Sequence, residues 1–313
     1  MKKILYINHG QSKKCGVYDL GLRHYMSIKN IKTYDIVYKE IDNIIDYFES
    51  CYSIKPDAII FNYMNVTSPW INSDINLYKC KKYCVPHLFF KNNFSFQEDP
   101  DRSLFDYFII LDKNSETSNG VFKTDRPLTI YNNSIKEKNK IPKIGSFGFS
   151  FKHKMLHIIT RHVNECFDEA EIYMHIPRAH FSYKDEEEEI KRDCIREITK
   201  SGIKIEFSNE FLPENEVIKN LNKNDINCLF YPEQSSQGIS SSLDYLISAQ
   251  KPIMITNSEM FRSFSDDLPK YPQVSLKQIY DNYNEYMYDV INIYNSSIDK
   301  IKIQTEDIFN RTI

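Results

Sequence analysis

The residues best placed to do chemistry lie between 228 and 262, in CLFYPEQSSQGISSSLDYLISAQKPIMITNSEMFR. An apolar run ends at Tyr231, a polar loop containing Gly238 follows, and Ser240, Ser241 and Ser242 stand where a helix begins. Serine is a favoured N-cap, and a helix start offers free backbone N–H groups and the positive end of the helix dipole. That combination suits a phosphate or diphosphate, although a capped helix that binds nothing has the same signature. A second candidate is IGSFGFSFKHK (144–154), where an apolar run meets Gly148 and the basic pair Lys152 and Lys154. A third is HIPRAHF (175–181), in which His175 ends an apolar run. There it could bond a phosphate or a base, or serve as a structural hydrogen-bonder. Near the amino terminus, INHGQSKKCGVYDLGLRHY (7–25) carries His9, Gly10, Gly16 and Tyr18. Its glycines permit close backbone approach to a ligand. The spacing is neither G-x-G-x-x-G nor G-x-x-x-x-G-K-[ST], so neither a dinucleotide fingerprint nor a P-loop is present. His87 and Asp112 also fall near predicted strand ends, His87 in a structural setting.

The elements that must position these residues alternate in kind. In the first half, strands are predicted at 2–8, 33–40, 57–64, 86–90 and 107–112, with helices at 17–28, 41–54 and 75–84. After a polar linker at 131–142, strands are predicted at 143–149, 171–177, 204–211, 226–233 and 251–257. The intervening helices fall at 153–167, 184–200, 213–224 and 240–250, and residues 275–310 form a long amphipathic helical tail. Short apolar runs alternating with helical periodicity predict βα units and parallel sheets covered by helices on both faces. Ligands of such sheets bind beyond the carboxyl ends of the strands, where the strand order reverses.

Composition narrows the classes. The chain has 313 residues, about two domains' worth. Forty Lys+Arg against 43 Asp+Glu give a net charge of −3, which argues against a general nucleic-acid binder. No apolar run approaches the ~20 residues needed to span a bilayer, and the first residues read as a β-strand, not a signal peptide. Seven scattered cysteines suit a reducing cytoplasm. Cys80 and Cys84 lack a second ligand pair, so no metal site is predicted. The acidic run from Asp185 to Glu189 reads as a solvated helix face.

Strand, glycine-containing loop, helix, then Lys251-Pro252 and an apolar strand resembles the donor site of GT-B glycosyltransferases of the family-4 type. In that pattern E-G-F-G precedes a helix ending in G-K-P-V, and Gln237-Gly238-Ile239-Ser240 takes the place of E-G-F-G here. The segments GISSSLDY, KPIMITNSEMFR, IGSFGFSFKHK and HIPRAHF are similar to those of bacterial glycosyltransferase-like proteins, over 143–263. The resemblance implies two Rossmann-like α/β domains facing a cleft. These are an acceptor-side domain at 1–135, a nucleotide-sugar donor domain at 143–275 and a helical tail at 276–313 that could cross back to the first domain. It implies Gly148, Gln237, Gly238, Ile239, Ser240, Ser241 and Asp244 as donor-binding residues, with Lys154 and Arg262 on the diphosphate and His175 beside them. His9, Gly10, Gly16 and Tyr18 would lie on the loop that approaches the donor phosphates or the acceptor.

The sequence departs from the family at three places. Gln237 replaces the first acid of E-x7-E, and Tyr245 occupies the second position, with Asp244 one place earlier. Asp244 is then either the ribose ligand, since a carboxylate accepts two hydrogen bonds from a vicinal diol, or an exposed first-turn acid. The arginine expected after Gly148 is Phe149, which leaves Arg262 as the replacement cation. The implied function is transfer of a sugar from a UDP or GDP donor to a hydroxyl on a glycan or lipid-linked acceptor, in surface-glycan assembly. Retention at the anomeric carbon, no metal and no cofactor are implied with it, together with a cytoplasmic location and peripheral membrane association. The rival readings are a non-catalytic nucleotide-sugar or glycan binder, a periplasmic-type sensor, and an epimerase acting on nucleotide sugars.

Overall fold

A computed structural model describes residues 1–11, 13, 15–87, 101–132, 137–178, 184–233 and 238–313. The chain forms two compact units. The first comprises Met1–Leu128, Gln237–Ile239 and Ser296–Ile313, and the second Thr129–Ser236 and Ser240–Asn295.

The first unit is built on a parallel sheet of β1 (Lys2–Asn8), β2 (Tyr34–Glu40), β3 (Ala58–Tyr63), β4 (Lys81–Pro86), β5 (Tyr107–Ile110) and β6 (Val121–Lys123), in the order β2-β1-β3-β4-β5-β6. Helices α1 (Gly16–Ile28) and α2 (Ile44–Ile54) make the first two crossovers. Both faces of the central strands are buried, which is why they read as continuous apolar runs. Leu5, Ile7, Ile59 and Phe61 enter one core, while Ile4, Tyr6, Ala58 and Ile60 enter the core on the other face. Alternate side chains of a strand point to opposite faces.

The second unit repeats the plan with β7 (Lys143–Phe147), β8 (Glu169–His175), β9 (Gly202–Ser208), β10 (Ile226–Leu229), β11 (Ile253–Thr256) and β12 (Lys270–Tyr271), in the order β12-β11-β10-β7-β8-β9. Its helices are α3 (Leu156–Cys166), α4 (Lys184–Arg196), α5 (Glu214–Leu221), α6 (Ser241–Ser248) and α7 (Leu276–Asp281). The chain ends in α8 (Tyr283–Thr312), 30 residues long, the helical tail expected from the periodicity. Among the described residues, no helix is long and apolar enough to cross a membrane.

Two predicted elements differ, and two short strands were not predicted. The helix expected at 75–84 is a 3-10 turn at Ser73–Leu77 followed by β4. Two lysines at the head of β4 disguise it. Lys82 is nevertheless buried, with its ammonium donating to the carbonyls of Tyr78 and Cys80 at 2.9 and 3.2 Å. A lysine can bury its stem in this way when its head finds oxygen. The strand expected at 86–90 begins on the last residue of β4, and 88–90 lie outside the described residues. The three-residue β6 and the two-residue β12 were not expected from the pattern.

The last turn of α8 packs within the first unit. Phe309 is fully buried, with its ring edge-on to Tyr34 and Tyr83 at centroid distances of 5.3 and 5.5 Å. We expect Phe309→Ala to destabilise the first unit by about 3–5 kcal/mol, the usual cost of emptying a buried phenylalanine site. Urea unfolding followed by circular dichroism measures this, and a loss below about 1 kcal/mol would mean that the helix end is only loosely seated.

Candidate functional site

Strand order in the second sheet reverses between β7 and β10. From β7 the chain proceeds outward to β8 and β9, and from β10 it proceeds the other way to β11 and β12. The connections therefore leave in opposite directions, opening a crevice beyond the carboxyl ends of these two strands. Gly148 follows β7, and Tyr231 lies two residues beyond β10.

Lys154 ends a 3-10 turn at Lys152–Lys154 just before α3. It is 7% exposed, and its Nζ donates to the Tyr231 hydroxyl at 2.7 Å. The same hydroxyl is 2.9 Å from Ser240 Oγ. Burial alone would raise the Tyr231 pKa, but the charge and hydrogen bond of Lys154, with the Ser240 and Ser242 hydroxyls, bring it below the ordinary tyrosine value. Gly148 completes the group: its φ is +147°, and a Cβ there would collide with Lys154 Nζ and lie 2.9 Å from Ser242 Oγ. Only glycine meets both demands comfortably. The structure also separates the two candidate lysines. Lys152 is exposed and paired with Glu189 at 2.6 Å, outside this group.

Helix α6 opens at the same place. Ser240 is its N-cap by position, yet its side chain makes no capping bond. The hydroxyl is turned to Tyr231, and its backbone N–H donates to the Met260 carbonyl at 2.9 Å. Ser241 and Ser242, half-buried, form the first turn. Backbone amides at such a position have no partner one turn earlier in the helix. The bond to Met260 ties this end to the 3-10 turn Glu259–Phe261, which Arg262 follows. Arg262 is buried, with Nη1 donating to the Glu259 carbonyl at 3.2 Å, so it is not a surface arginine.

Asp244 is fully buried. The reading as an exposed first-turn acid is therefore corrected, because the inner face of α6 places residue 244 in the interior. The same burial keeps its carboxylate from any ligand in this conformation. Its neighbour Tyr245 is also buried and packs on Phe147 at a centroid distance of 4.8 Å. His175, the last residue of β8, is 1% exposed. Its Nδ1 lies 3.1 Å from Ser208 Oγ, its ring stacks on Phe147 at 5.5 Å, and its Nε2 has no hydrogen-bond partner among the described residues. Burial lowers its pKa to about 4, so the ring is neutral at pH 7. Gly238 and Ile239 group with the first unit, where Ile239 packs against an apolar core. Gln237 lies outside the described residues. Glu233 is exposed and accepts a bond from Asn257 Nδ2 at 2.7 Å.

In the first unit, strand order reverses between β1 and β3. His9 and Gly10 follow β1. The Gly10 N–H donates to Asp42 Oδ1 at 2.8 Å, and Tyr18, buried in α1, donates its hydroxyl to Glu40 at 2.7 Å. Gly16 is the first residue of α1. His9 is buried, and its ring meets Tyr18 edge-on at 5.8 Å. Sequence reasoning missed the pair beneath them: Asn62 Nδ2 donates to Asn8 Oδ1 at 2.8 Å, with both residues buried. It also treated Tyr231 only as a strand terminus. Among the described residues, no group of three or more His, Cys, Asp and Glu is arranged to hold a metal ion.

No protein-family model matches this sequence, and no curated protein matches it. Solved structures do. The Anabaena protein Alr3699/HepE, determined in complex with UDP-glucose, is 10% identical, with a TM-score of 0.65 over 99% of this chain and 100% of that one. A glycosyltransferase from Rickettsia africae ESF-5 is 10% identical, with a TM-score of 0.68 over 99% and 98%. An α,α-trehalose-phosphate synthase (UDP-forming) from Burkholderia xenovorans, determined in complex with glucose-6-phosphate, is 9% identical, with a TM-score of 0.59 over 99% of both chains. The chain thus has the GT-B fold of these glycosyltransferases, with two Rossmann-like α/β units and a long carboxyl-terminal helix.

Because His175 is held neutral, the unfolded chain, with a histidine pKa near 6.5, takes up a proton before the folded one does. Stability is then full above about pH 6.5 and falls as the pH drops toward 4. We expect this residue to account for about 2 kcal/mol of the stability lost between pH 7 and pH 5. In urea melts the stability lost by the wild type between the two pH values should exceed that lost by His175→Gln by that amount. Equal losses would mean that the ring is not neutral in the folded state.

Proposed function

We propose that this chain transfers a sugar from a nucleoside-diphosphate sugar to a hydroxyl acceptor. The observation that carries the reading is the buried Lys154–Tyr231–Ser240 group at the mouth of α6, placed where the sheet order reverses. Fold alone does not fix an activity. The site supplies the chemistry, and the kinship with UDP-binding glycosyltransferases makes UDP the favoured donor base over GDP.

In the transfer, the bond between the anomeric carbon and the β-phosphate oxygen breaks, and a bond to the acceptor oxygen forms. Negative charge grows on the departing diphosphate, and one of its oxygens takes the proton that the acceptor hydroxyl gives up. Lys154 leaves the Tyr231 hydroxyl to meet that charge, and the amides of Ser241 and Ser242 donate to the phosphate oxygens. Preorganised donors of this kind stabilise a transition state without reorganising at the moment of reaction. Arg262 supplies a second cation in place of the arginine missing after Gly148. These charges can neutralise a diphosphate without a metal, and we propose that none is needed. Retention at the anomeric carbon, a glycan or lipid-linked acceptor, surface-glycan assembly and peripheral membrane association complete the reading. A cytoplasmic location goes with its free cysteines.

A non-catalytic nucleotide-sugar binder is the second reading, favoured by Gln237 at the position of the first acid and by the burial of Asp244. Both readings expect UDP to stabilise the protein in a thermal-shift titration, by about 2.7 kcal/mol at a hundredfold excess over Kd. Lys154→Ala should weaken UDP binding at least tenfold, about 1.4 kcal/mol, with Tyr231→Phe intermediate. Wild-type affinity in both variants would remove the site assignment. Release of glucose or a glycoside from UDP-glucose supports transfer, and binding without turnover supports the second reading.

A further inference from the structure

The second sheet ends on a long strand. β9 closes the order β12-β11-β10-β7-β8-β9 and runs for seven residues, Gly202–Ser208, with the sequence GIKIEFS. The edge strands β6 and β12 have only three and two residues. A long edge offers a row of unpaired N–H and C=O groups to another strand.

Backbone groups alternate in direction along a strand, so the register with β8 fixes which of them face outward. The Ile176 N–H donates to the Ser208 carbonyl at 2.7 Å, on the β8 side. Residues 202, 204 and 206 therefore face β8 as well, and Ile203, Ile205 and Phe207 turn their backbone groups to the open edge. The Ile203 N–H is taken by the Lys200 carbonyl at 3.2 Å. Among the described residues, no turn or side chain takes up the N–H groups of Ile205 and Phe207.

The side chains match a two-fold partner. Ile203, Ile205 and Phe207 share the face that packs on the core under α3 and α4, where Ile205 and Phe207 stay only partly buried. Lys204 and Glu206 are exposed on the other face, and neither has a hydrogen-bond or ion-pair partner among the described residues. When a second β9 is turned antiparallel about Ile205, that residue exchanges both backbone bonds with its copy. Each Phe207 N–H meets the other copy's Ile203 carbonyl. Lys204 falls directly opposite Glu206, in the kind of pair where side chains stand closest, and opposite charges so placed attract. Moving the axis to Lys204 or to Glu206 sets like charges face to face, so one register is selected. Helix α4 adds to the same edge. One of its flanks carries Glu186 and Glu189 to Lys152, before α3. Ile195 lies on the opposite flank, toward the open edge, and is 55% exposed.

We propose that this chain forms a two-fold dimer in which β9 pairs antiparallel with β9 of a second copy, centred on Ile205, joining two six-stranded sheets into one. Such a pairing is closed, because each copy spends the same edge on the other. The proposal stands on the second unit alone and is independent of the transferase reading.

Sedimentation velocity of the full chain tests it at low ionic strength, since salt screens exposed charge pairs. We expect the wild type to reach twice the chain mass of 37.1 kDa as its concentration rises. Lys204→Glu and Glu206→Lys should each weaken the dimer at least tenfold, about 1.4 kcal/mol, by setting like charges opposite one another. The double variant Lys204→Glu/Glu206→Lys restores the opposition and should return to the wild-type mass. So should an equimolar mixture of the two single variants, whose chains match each other and not themselves. Both positions are exposed, so these variants keep the fold, which circular dichroism verifies. A wild type that stays monomeric overturns the proposal, as does a dimer that the single reversals leave intact. If the single variants dissociate but the double variant and the mixture fail to recover, the two charges do not face one another and the proposal also falls.

Discussion

Burying the ammonium of Lys154 is the constraint around which the second unit is arranged. A lysine head removed from water needs an oxygen partner, or it loses its proton or its place. Here the partner is the Tyr231 hydroxyl, 77 residues away in the chain. The two meet only because the strand order reverses between β7 and β10, which sets the residue after one strand beside the residue after the other. The consequences are local and specific. Gly148 must lack a side chain because Lys154 and Ser242 occupy the space. Ser240 gives up the cap it would otherwise make, because its hydroxyl completes the Tyr231 network. A helix start whose own serine hydroxyl is engaged elsewhere keeps its dipole and first-turn amides available to an outside anion.

Much of the architecture was legible because parallel strands buried on both faces leave long apolar runs. ILYI in β1 and AIIF in β3 are such runs, and each was placed to within a residue or two. The helix at Ser240 was legible because serine triplets and a following Lys-Pro punctuate both of its ends. β4 was not legible, because a sequence pattern scores Lys81 and Lys82 as polar and cannot see that the head of Lys82 reaches two carbonyls. Three-residue β6 carries too few positions for any period to show.

The site was readable in part for similar reasons. Glycine and lysine after a strand, and serines before a helix, are residue types whose ordinary uses are few, so Gly148, Lys154 and Ser240 stood out. Tyr231 did not, since a tyrosine closing an apolar strand is indistinguishable from core until its hydroxyl is seen to bond a lysine. Asp244 carried a misleading signal. An acid in the first turn is usually there to answer the helix dipole from solvent, and only the rotation of α6 against its sheet shows that this one faces inward.

Cations lower the pKa of a titrating neighbour at both reversal points, His87 in the first unit and Tyr231 in the second. A positive potential favours the deprotonated form of any group. It lowers an acid such as tyrosine by stabilising the anion, and lowers histidine by opposing the cation. For His87, burial acts in the same direction, so its shift combines two causes. For Tyr231, burial acts against the shift, and the charge and hydrogen bond of Lys154, with the Ser240 and Ser242 hydroxyls, outweigh it. A fold that places such a field beyond the carboxyl ends of a parallel sheet has already met much of the cost of holding a diphosphate there, since charge arriving in the crevice finds oriented donors instead of displaced water.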